Sequence, residues 1–216
     1  MKPINFTDHD IKATLSGIKT QVRPIVKPIK GGWEPNGKRT TAFADPTDCW
    51  FEWTKPMPLG NIQTALSRCP YGKAGDRLWV REAWRDWGPG VTPDQPRIEY
   101  RASEGRLHHA QIPANWKHSG DRQLHWMPAK HMPQWASRIT LEITDVRIQR
   151  LQDISEADAA AEGVVDDWRS SVIGERGSFQ ILWEIHNGRR PGYTWNDNPF
   201  VWVIAFKQLS TLEAVP

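Results

Sequence analysis

The chain has 216 residues, of which 38% are hydrophobic and 25% are charged. This length is sufficient for one domain with a sizeable core, and the composition argues against a wholly disordered chain. Lysine and arginine number 28 against 25 acidic residues, so the net charge of +3 does not by itself indicate a nucleic-acid partner. We expect no membrane span and no secretory signal, because no apolar run approaches the ~20 residues that a span requires.

The distribution of charge is more informative than its sum. Residues 1–30 hold six basic and two acidic residues, a net charge of +4, whereas residues 153–167 hold six acidic and no basic residues, a net charge of −6. Two such segments either pair or line two sides of a cleft. The two cysteines, Cys49 and Cys69, cannot form a disulfide framework, so we expect a reduced, cytoplasmic setting.

In chain order, the first half of the sequence is predicted to form short elements on both sides of one long insertion. Residues 2–7 are extended, and a helix over 9–16 begins after Thr7 or Asp8 and ends at Gly17. A strand follows over 18–23. Residues 28–75 are rich in glycine, proline and polar residues, which predicts an insertion with little regular structure. Further strands are predicted over 77–84 and 98–101.

The second half begins with a polar insertion over 103–134. Residues 135–151 alternate between apolar and polar types, which predicts one long strand or two strands with a bulge near 144–145. Asp153 or Ser155 begins a helix over 156–162, a second helix covers 179–186, and a strand over 199–209 closes the chain. These elements predict an α+β fold with a sheet curled toward a barrel.

Four blocks of this sequence resemble one known family. They are GIKTQVR at 17–23, GDRLWVRE at 75–82, LQDISEADAAAEG at 151–163 and FVWVIAF at 200–206. The chain resembles the ASCH domains of the PUA-like superfamily, and especially the ASCH-like proteins of phages and prophages. The resemblance implies a single domain over 1–216, with a small β-barrel, flanking short helices and long loop insertions at about 28–75 and 103–134. It also implies a cleft for RNA or modified nucleosides, in the host cytoplasm if the protein is phage-borne.

The resemblance extends to a catalytic set. Some family members are amidohydrolases that remove the acyl group of N4-acetylcytidine with a lysine, a threonine and a glutamate, which match Lys19, Val22 and Glu162 here. Valine has no nucleophilic oxygen. Thr20 is the nearest hydroxyl, but on a strand its Cα lies roughly 6–7 Å from that of Val22. Alternatively, Lys19 and Glu162 activate water, or a 2′-hydroxyl in a ribonuclease reaction.

Further side chains are candidates for contacts with nucleic acid. Arg23 and Lys27 suit phosphate binding or a solvated basic face. Arg81 and Glu82 follow a predicted strand, and one of them points inward, where Glu82 could reach Lys19 or Arg23 as an ion pair or bind a ligand. Three tryptophans are candidates for stacking on a base, or else belong to the core: Trp84, Trp87 and Trp135.

Neither a metal nor a cofactor is predicted. Five histidines lie between residues 108 and 131, but their spacing is not that of a metal-binding helix and no cysteine is near them in sequence. The leading prediction is a protein that binds RNA, single-stranded nucleic acid or a modified nucleoside in a cleft lined by Lys19, Arg23 and Glu162. The alternatives are a hydrolase of that family, either amidohydrolase or ribonuclease, and a phage factor that binds a host protein through the tryptophan-bearing insertions.

Overall fold

The computed structural model describes residues 1–29, 31, 33–40, 50–86, 97–103, 107–109, 113, 116, 125–164 and 170–211. Cys49 and Trp87, two residues singled out above, lie outside this part of the chain. The chain divides into two compact units that interleave in sequence. The first unit comprises Met1–Ser16, Arg77–Glu142 and Gln208–Pro216, and the second comprises Gly17–Asp76 and Ile143–Lys207.

The described elements are eleven strands and three α-helices. The strands are β1 (Lys2–Asn5), β2 (Gln21–Val22), β3 (Glu34–Thr40), β4 (Trp50–Pro56), β5 (Ile62–Arg68), β6 (Arg77–Arg81), β7 (Trp84–Asp86), β8 (Arg97–Tyr100), β9 (Leu107–His109), β10 (Ile139–Arg150) and β11 (Phe200–Thr211). The helices are α1 (Asp8–Leu15), α2 (Glu156–Ala161) and α3 (Ser170–Asn187). None of the described helices has both the length and the apolar character needed to cross a membrane.

Three open sheets contain all of these strands. One has five strands in the order β1-β6-β10-β11-β2, and the others have the orders β3-β4-β5 and β7-β8-β9. The predicted α+β class is therefore confirmed. The described strands do not form a closed barrel, because in none of the three sheets does the last strand pair with the first.

The first unit is built on β6. Strand β1 pairs with it in parallel, with Ile4 opposite Val80, and β10 pairs with it antiparallel, with Leu141 opposite Leu78. All four of these side chains are buried. A separate aromatic core contains the buried residues Trp79, Trp84, Ile98, Tyr100, Met132 and Ala136.

Helix α1 begins where the sequence predicts. Thr7 is its N-cap, and the Thr7 hydroxyl and the Asp10 carboxylate each accept a hydrogen bond from the other residue's backbone N–H. This capping box satisfies two amides that the first helical turn leaves without partners. Gly17 follows the helix with φ of +76°, a left-handed conformation that glycine adopts without steric cost.

In the second unit, β11 pairs antiparallel with β2, with Ile204 opposite Val22. The prediction that residues 28–75 have little regular structure is wrong, because β3, β4 and β5 form a sheet there. Phe51 and Trp53 on β4 are both buried, and the Phe51 ring lies 5.2 Å from the Phe200 ring. The buried alternation of β4 is typical of a strand, although the proline and glycine around it obscure that signal in the sequence.

Helices α2 and α3 contribute to a hydrophobic core of the second unit. Its buried members are Leu151, Ile154, Ala159, Val164, Phe179, Trp183, Trp195, Val201 and Val203. Helix α3 begins nine residues before the predicted start at 179 and includes Gly174, whose φ of 74° interrupts the regular helix. This interruption explains why helical spacing is visible only in the later part of the segment.

Candidate functional site

Residues 19–23 lie against the end of α2. The backbone N–H of Thr20 donates to the carbonyl of Ala161 at 2.8 Å, and the carbonyl of Thr20 accepts from the N–H of Phe206 on β11 at 2.9 Å. Both contacts lie within the second unit. They fix the early basic segment beside the acidic segment, so the predicted alternative in which the two segments pair is confirmed.

Lys19 and Glu162 form a buried ion pair. The Lys19 ammonium donates to Glu162 Oε2 at 2.9 Å and to the Glu162 backbone carbonyl at 2.6 Å. Only 3% of Lys19 and 6% of Glu162 is exposed to solvent. Glu162 is the C-cap of α2, a position where the helix dipole disfavours a carboxylate. The ammonium provides the compensating positive charge.

Arg23 contacts two carboxylates of α2 and its C-cap, Asp158 and Glu162. Its Nη1 donates to Glu162 Oε1 at 2.6 Å, and its Nη2 lies 3.1 Å from Asp158 Oδ2. The guanidinium also lies over the ring of Phe179 on α3, 5.8 Å from the centroid. The Nε of Arg23 is buried and has no hydrogen-bond partner among the described residues.

Asp158 extends the ion pairs toward solvent. The side chain of Gln21 donates to its Oδ1 at 3.0 Å, and Arg147 Nη2 donates to Oδ1 at 2.8 Å and to Oδ2 at 2.9 Å. Partial burial would raise the pKa of Asp158. The hydrogen bonds from Gln21 and Arg147 and the charges of Arg23 and Arg147 outweigh that effect and lower the pKa below its ordinary value.

We call these six residues the Glu162 cluster: Lys19, Gln21, Arg23, Arg147, Asp158 and Glu162. Lys19, Gln21 and Arg23 are two positions apart, so on an extended chain they share one face, and all three contact α2. Arg147 also lies 3.7 Å from Asp145. With Asp145 included, three cations balance three anions.

The remaining candidate residues of this segment lie outside the cluster. Thr20 is exposed, and its hydroxyl makes no hydrogen bond to Lys19 or Glu162. Val22 is half-buried on β2, and Lys27 is exposed. The structure thus brings together Lys19, Arg23 and Glu162, but it adds no hydroxyl nucleophile to them.

The candidates of the first unit have other partners. Glu82 accepts two hydrogen bonds from Arg138, both of 2.8 Å, so the expectation that Glu82 reaches Lys19 or Arg23 is wrong. Burial raises the pKa of Glu82, and Arg138 offsets part of that rise. Arg81 is half-buried, lies over the Trp79 ring at 4.8 Å and donates to the carbonyl of Lys130.

Two tryptophans proposed to stack on bases belong to an aromatic core. Trp84 is 0% exposed, so its ring is not accessible to a base, which corrects the prediction for this residue. Trp135 is half-buried, and its ring packs edge-to-face at 5.9 Å from the ring of Trp84. Among the described residues, no group of three or more His, Cys, Asp or Glu is placed to hold a metal ion.

Gln21, Arg147 and Asp158 are members of the cluster that sequence reasoning did not single out. Gln21 had a detectable signal, because it lies between Lys19 and Arg23 at strand spacing. Comparison with known proteins finds no matching family model, no matching curated protein and no matching solved structure.

Proposed function

We propose that the protein binds a nucleobase at the Glu162 cluster, presented by single-stranded RNA, by another single-stranded nucleic acid or by a modified nucleoside. One observation carries the proposal. Gln21 Oε1 and Arg23 Nε are an acceptor and a donor that are buried without a hydrogen-bond partner among the described residues. Such groups are costly unless a ligand or a water satisfies them. The edge of a base carries both donors and acceptors, and such a ligand reaches these buried atoms only when the cluster opens.

The surrounding ion pairs support this role by holding both side chains in place. Asp158 accepts a hydrogen bond from the amide nitrogen of Gln21, and Glu162 accepts one from Arg23 Nη1, while Arg23 Nη2 lies 3.1 Å from Asp158 without a hydrogen bond. Arg147 and Asp158 are partly exposed, with 31% and 20% of their side chains accessible to solvent. The ligand therefore approaches from the side of Arg147, whose positive charge suits a phosphate or an electron-rich base.

The resemblance to ASCH domains supports the same proposal. Two of the four matched blocks, at 17–23 and 151–163, supply five of the six residues of the cluster. In an ASCH-type, PUA-like fold, these two blocks would lie beside the base-binding site. Open, unpaired bases fit better than a duplex, because the edge read by Gln21 and Arg23 is occupied in a base pair.

The binding test compares Gln21→Met with the wild-type protein. The substitution removes the amide acceptor at similar side-chain length, so we expect at least a tenfold loss of affinity, about 1.4 kcal/mol. The measurements are fluorescence anisotropy with labelled single-stranded RNA and DNA, and calorimetry with cytidine and N4-acetylcytidine. Gln63→Met, at an exposed position of β5, is the matched control and should bind as the wild type does. Equal affinity of Gln21→Met and Gln63→Met would contradict the proposal.

A hydrolase is the second candidate. The Lys19 ammonium lies 2.9 Å from Glu162 Oε2, and a joint catalytic role requires the two groups to lie close together. The same protein is incubated with N4-acetylcytidine and with labelled RNA, and the products are followed by chromatography. Thr20→Val removes the nearest hydroxyl at an exposed site without disturbing the cluster. Turnover that disappears in Thr20→Val supports an amidohydrolase, whereas RNA cleavage that persists in this variant supports activation of water or of a 2′-hydroxyl.

A further inference from the structure

The first unit contains a cavity of about 300 Å³ that the proposed function does not use. The apolar part of its wall is formed by Phe6, Ala83, Trp126 and Met127. The polar groups in the wall belong to Thr7 and Arg101. This volume lies at the lower end of the range for small-molecule sites, which typically combine apolar walls with a few polar groups.

The walls are fixed by backbone hydrogen bonds. Trp84 and Met127 exchange two such bonds, of 3.2 and 2.8 Å, and the N–H of Arg101 donates to the carbonyl of Ala83 at 2.9 Å. The N–H of Phe6 donates to the carbonyl of Arg81 at 2.9 Å. Three separate segments are therefore anchored around the cavity, so its shape is set by the fold rather than by a single loop.

Trp126 provides an aromatic surface within this lining. The Arg85 guanidinium lies 4.5 Å from its ring centroid, and Glu99 fixes Arg85 through contacts of 2.7 Å. Stacking of a guanidinium on an indole restrains the orientation of the indole. A restrained, half-buried indole is suited to pack against a planar ring, because little conformational entropy is lost on binding.

Arg101 provides an anion-binding group beside that surface. Its Nε donates to Asp8 Oδ2 at 2.5 Å, which holds the side chain while half of it stays exposed. Among the described residues, hydrogen bonding and ion pairing of the Arg101 side chain are recorded at Nε, with Asp8 as the partner. The two outer nitrogens form a fork of the kind that binds phosphate or carboxylate oxygens in pairs.

From this combination we infer that the cavity binds a planar aromatic ring that carries a phosphate, as a nucleoside monophosphate does. The ring packs against Trp126 and Phe6, and the phosphate binds the outer nitrogens of Arg101. The ligand is either a free nucleotide or the phosphorylated end of a strand, which share this chemistry. The inference is independent of the Glu162 cluster, because every residue of the cavity belongs to the first unit.

Calorimetry of the full chain with AMP, adenosine and inorganic phosphate tests the inference. AMP should bind at least tenfold more tightly than either of its parts. Arg101→Gln should reduce AMP affinity to that of adenosine and leave adenosine binding unchanged. Trp126→Leu should weaken both ligands, while Trp126→Tyr, which keeps a ring, should retain most of the affinity. Arg190→Gln is the matched control, because Arg190 is an exposed arginine outside the cavity, like Arg101 in its exposure.

Failure of this inference is distinct from failure of the proposed function. AMP binding that is absent at millimolar concentration, or that is unchanged in Arg101→Gln and Trp126→Leu, would overturn the cavity as a nucleotide site. Gln21→Met should leave AMP binding to the cavity intact. A 5′-phosphorylated oligonucleotide competing with AMP more strongly than its 5′-hydroxyl form identifies the strand end as the source, and competition only by mononucleotides identifies the free nucleotide.

Discussion

Lys19 is an ammonium group with almost no exposure to water, and burial of such a charge costs several kcal/mol unless it is paired. The carboxylate and the carbonyl of Glu162 provide that pairing from a position 143 residues away. The sequence predicts Lys19 and Glu162 as a pair only through the family resemblance. The separate prediction that charged segments pair follows from composition, and it leaves open which residues meet.

A double-mutant cycle measures how strongly this pair stabilises the fold. Lys19→Met leaves Glu162 with Arg23 as its remaining cation, so we expect a loss of about 3–5 kcal/mol in the free energy of unfolding. Adding Glu162→Gln removes the carboxylate that Lys19 pairs with, so the double variant should lose about 1–3 kcal/mol less than the sum of the single losses. Urea denaturation followed by circular dichroism gives these values. Lys27→Met, at an exposed lysine, should change stability by less than about 0.5 kcal/mol. Additive losses would show that the two side chains are not coupled.

At the level of the element, the short helix α2 places two carboxylates of the Glu162 cluster. Asp158 is at its third position, where its backbone N–H donates to the Ser155 hydroxyl, and Glu162 is at its C-cap. A single turn separates the two carboxylates, so Arg23 reaches both of them. The sequence predicted this helix and offered two candidates for its first residue. The structure selects Ser155 over Asp153.

Removal of this cap should destabilise α2 and the cluster together. Ser155→Ala removes the acceptor for the N–H of Asp158, so we expect a loss of about 1 kcal/mol in stability. Ser155→Asp keeps an acceptor and adds a charge that the helix dipole favours, so it should remain close to the wild-type stability. Chemical denaturation gives the free energy of unfolding of the wild type, Ser155→Ala and Ser155→Asp. An alanine variant as stable as the serine protein would mean that this hydrogen bond contributes nothing measurable.

For the molecule as a whole, the net charge of +3 is small, and the distribution of charge decides the electrostatics. Two of the six acidic residues of the acidic segment, Asp158 and Glu162, are paired internally with Lys19 and Arg23. Lys27 is exposed and takes no part in these ion pairs. Binding of single-stranded nucleic acid should therefore depend on salt through a few phosphate contacts rather than on the total charge.

Salt titration tests this expectation. The affinity for single-stranded RNA should fall as salt rises, with a slope of about −0.7 in log affinity against log salt for each phosphate contact. Lys27→Gln should reduce the slope by about 0.7 and weaken binding equally for different sequences. Lys130→Gln, an exposed lysine of the first unit, serves as the control and should leave the slope unchanged. An identical slope for wild type and Lys27→Gln would exclude Lys27 from contact with phosphate.

The amino-acid sequence by itself determined the features that depend on near neighbours. Gly17 ends helix α1, short helices are predicted at α1 and α2, and the alternation of apolar residues in β10 is readable because a strand repeats every two residues. Only the tertiary structure decided which distant groups meet. Glu82 pairs with Arg138, Trp84 packs against other aromatic rings, and β3, β4 and β5 build a sheet. These outcomes depend on strand pairing between remote segments, and local periodicity contains no information on the partner of a strand or of a buried charge.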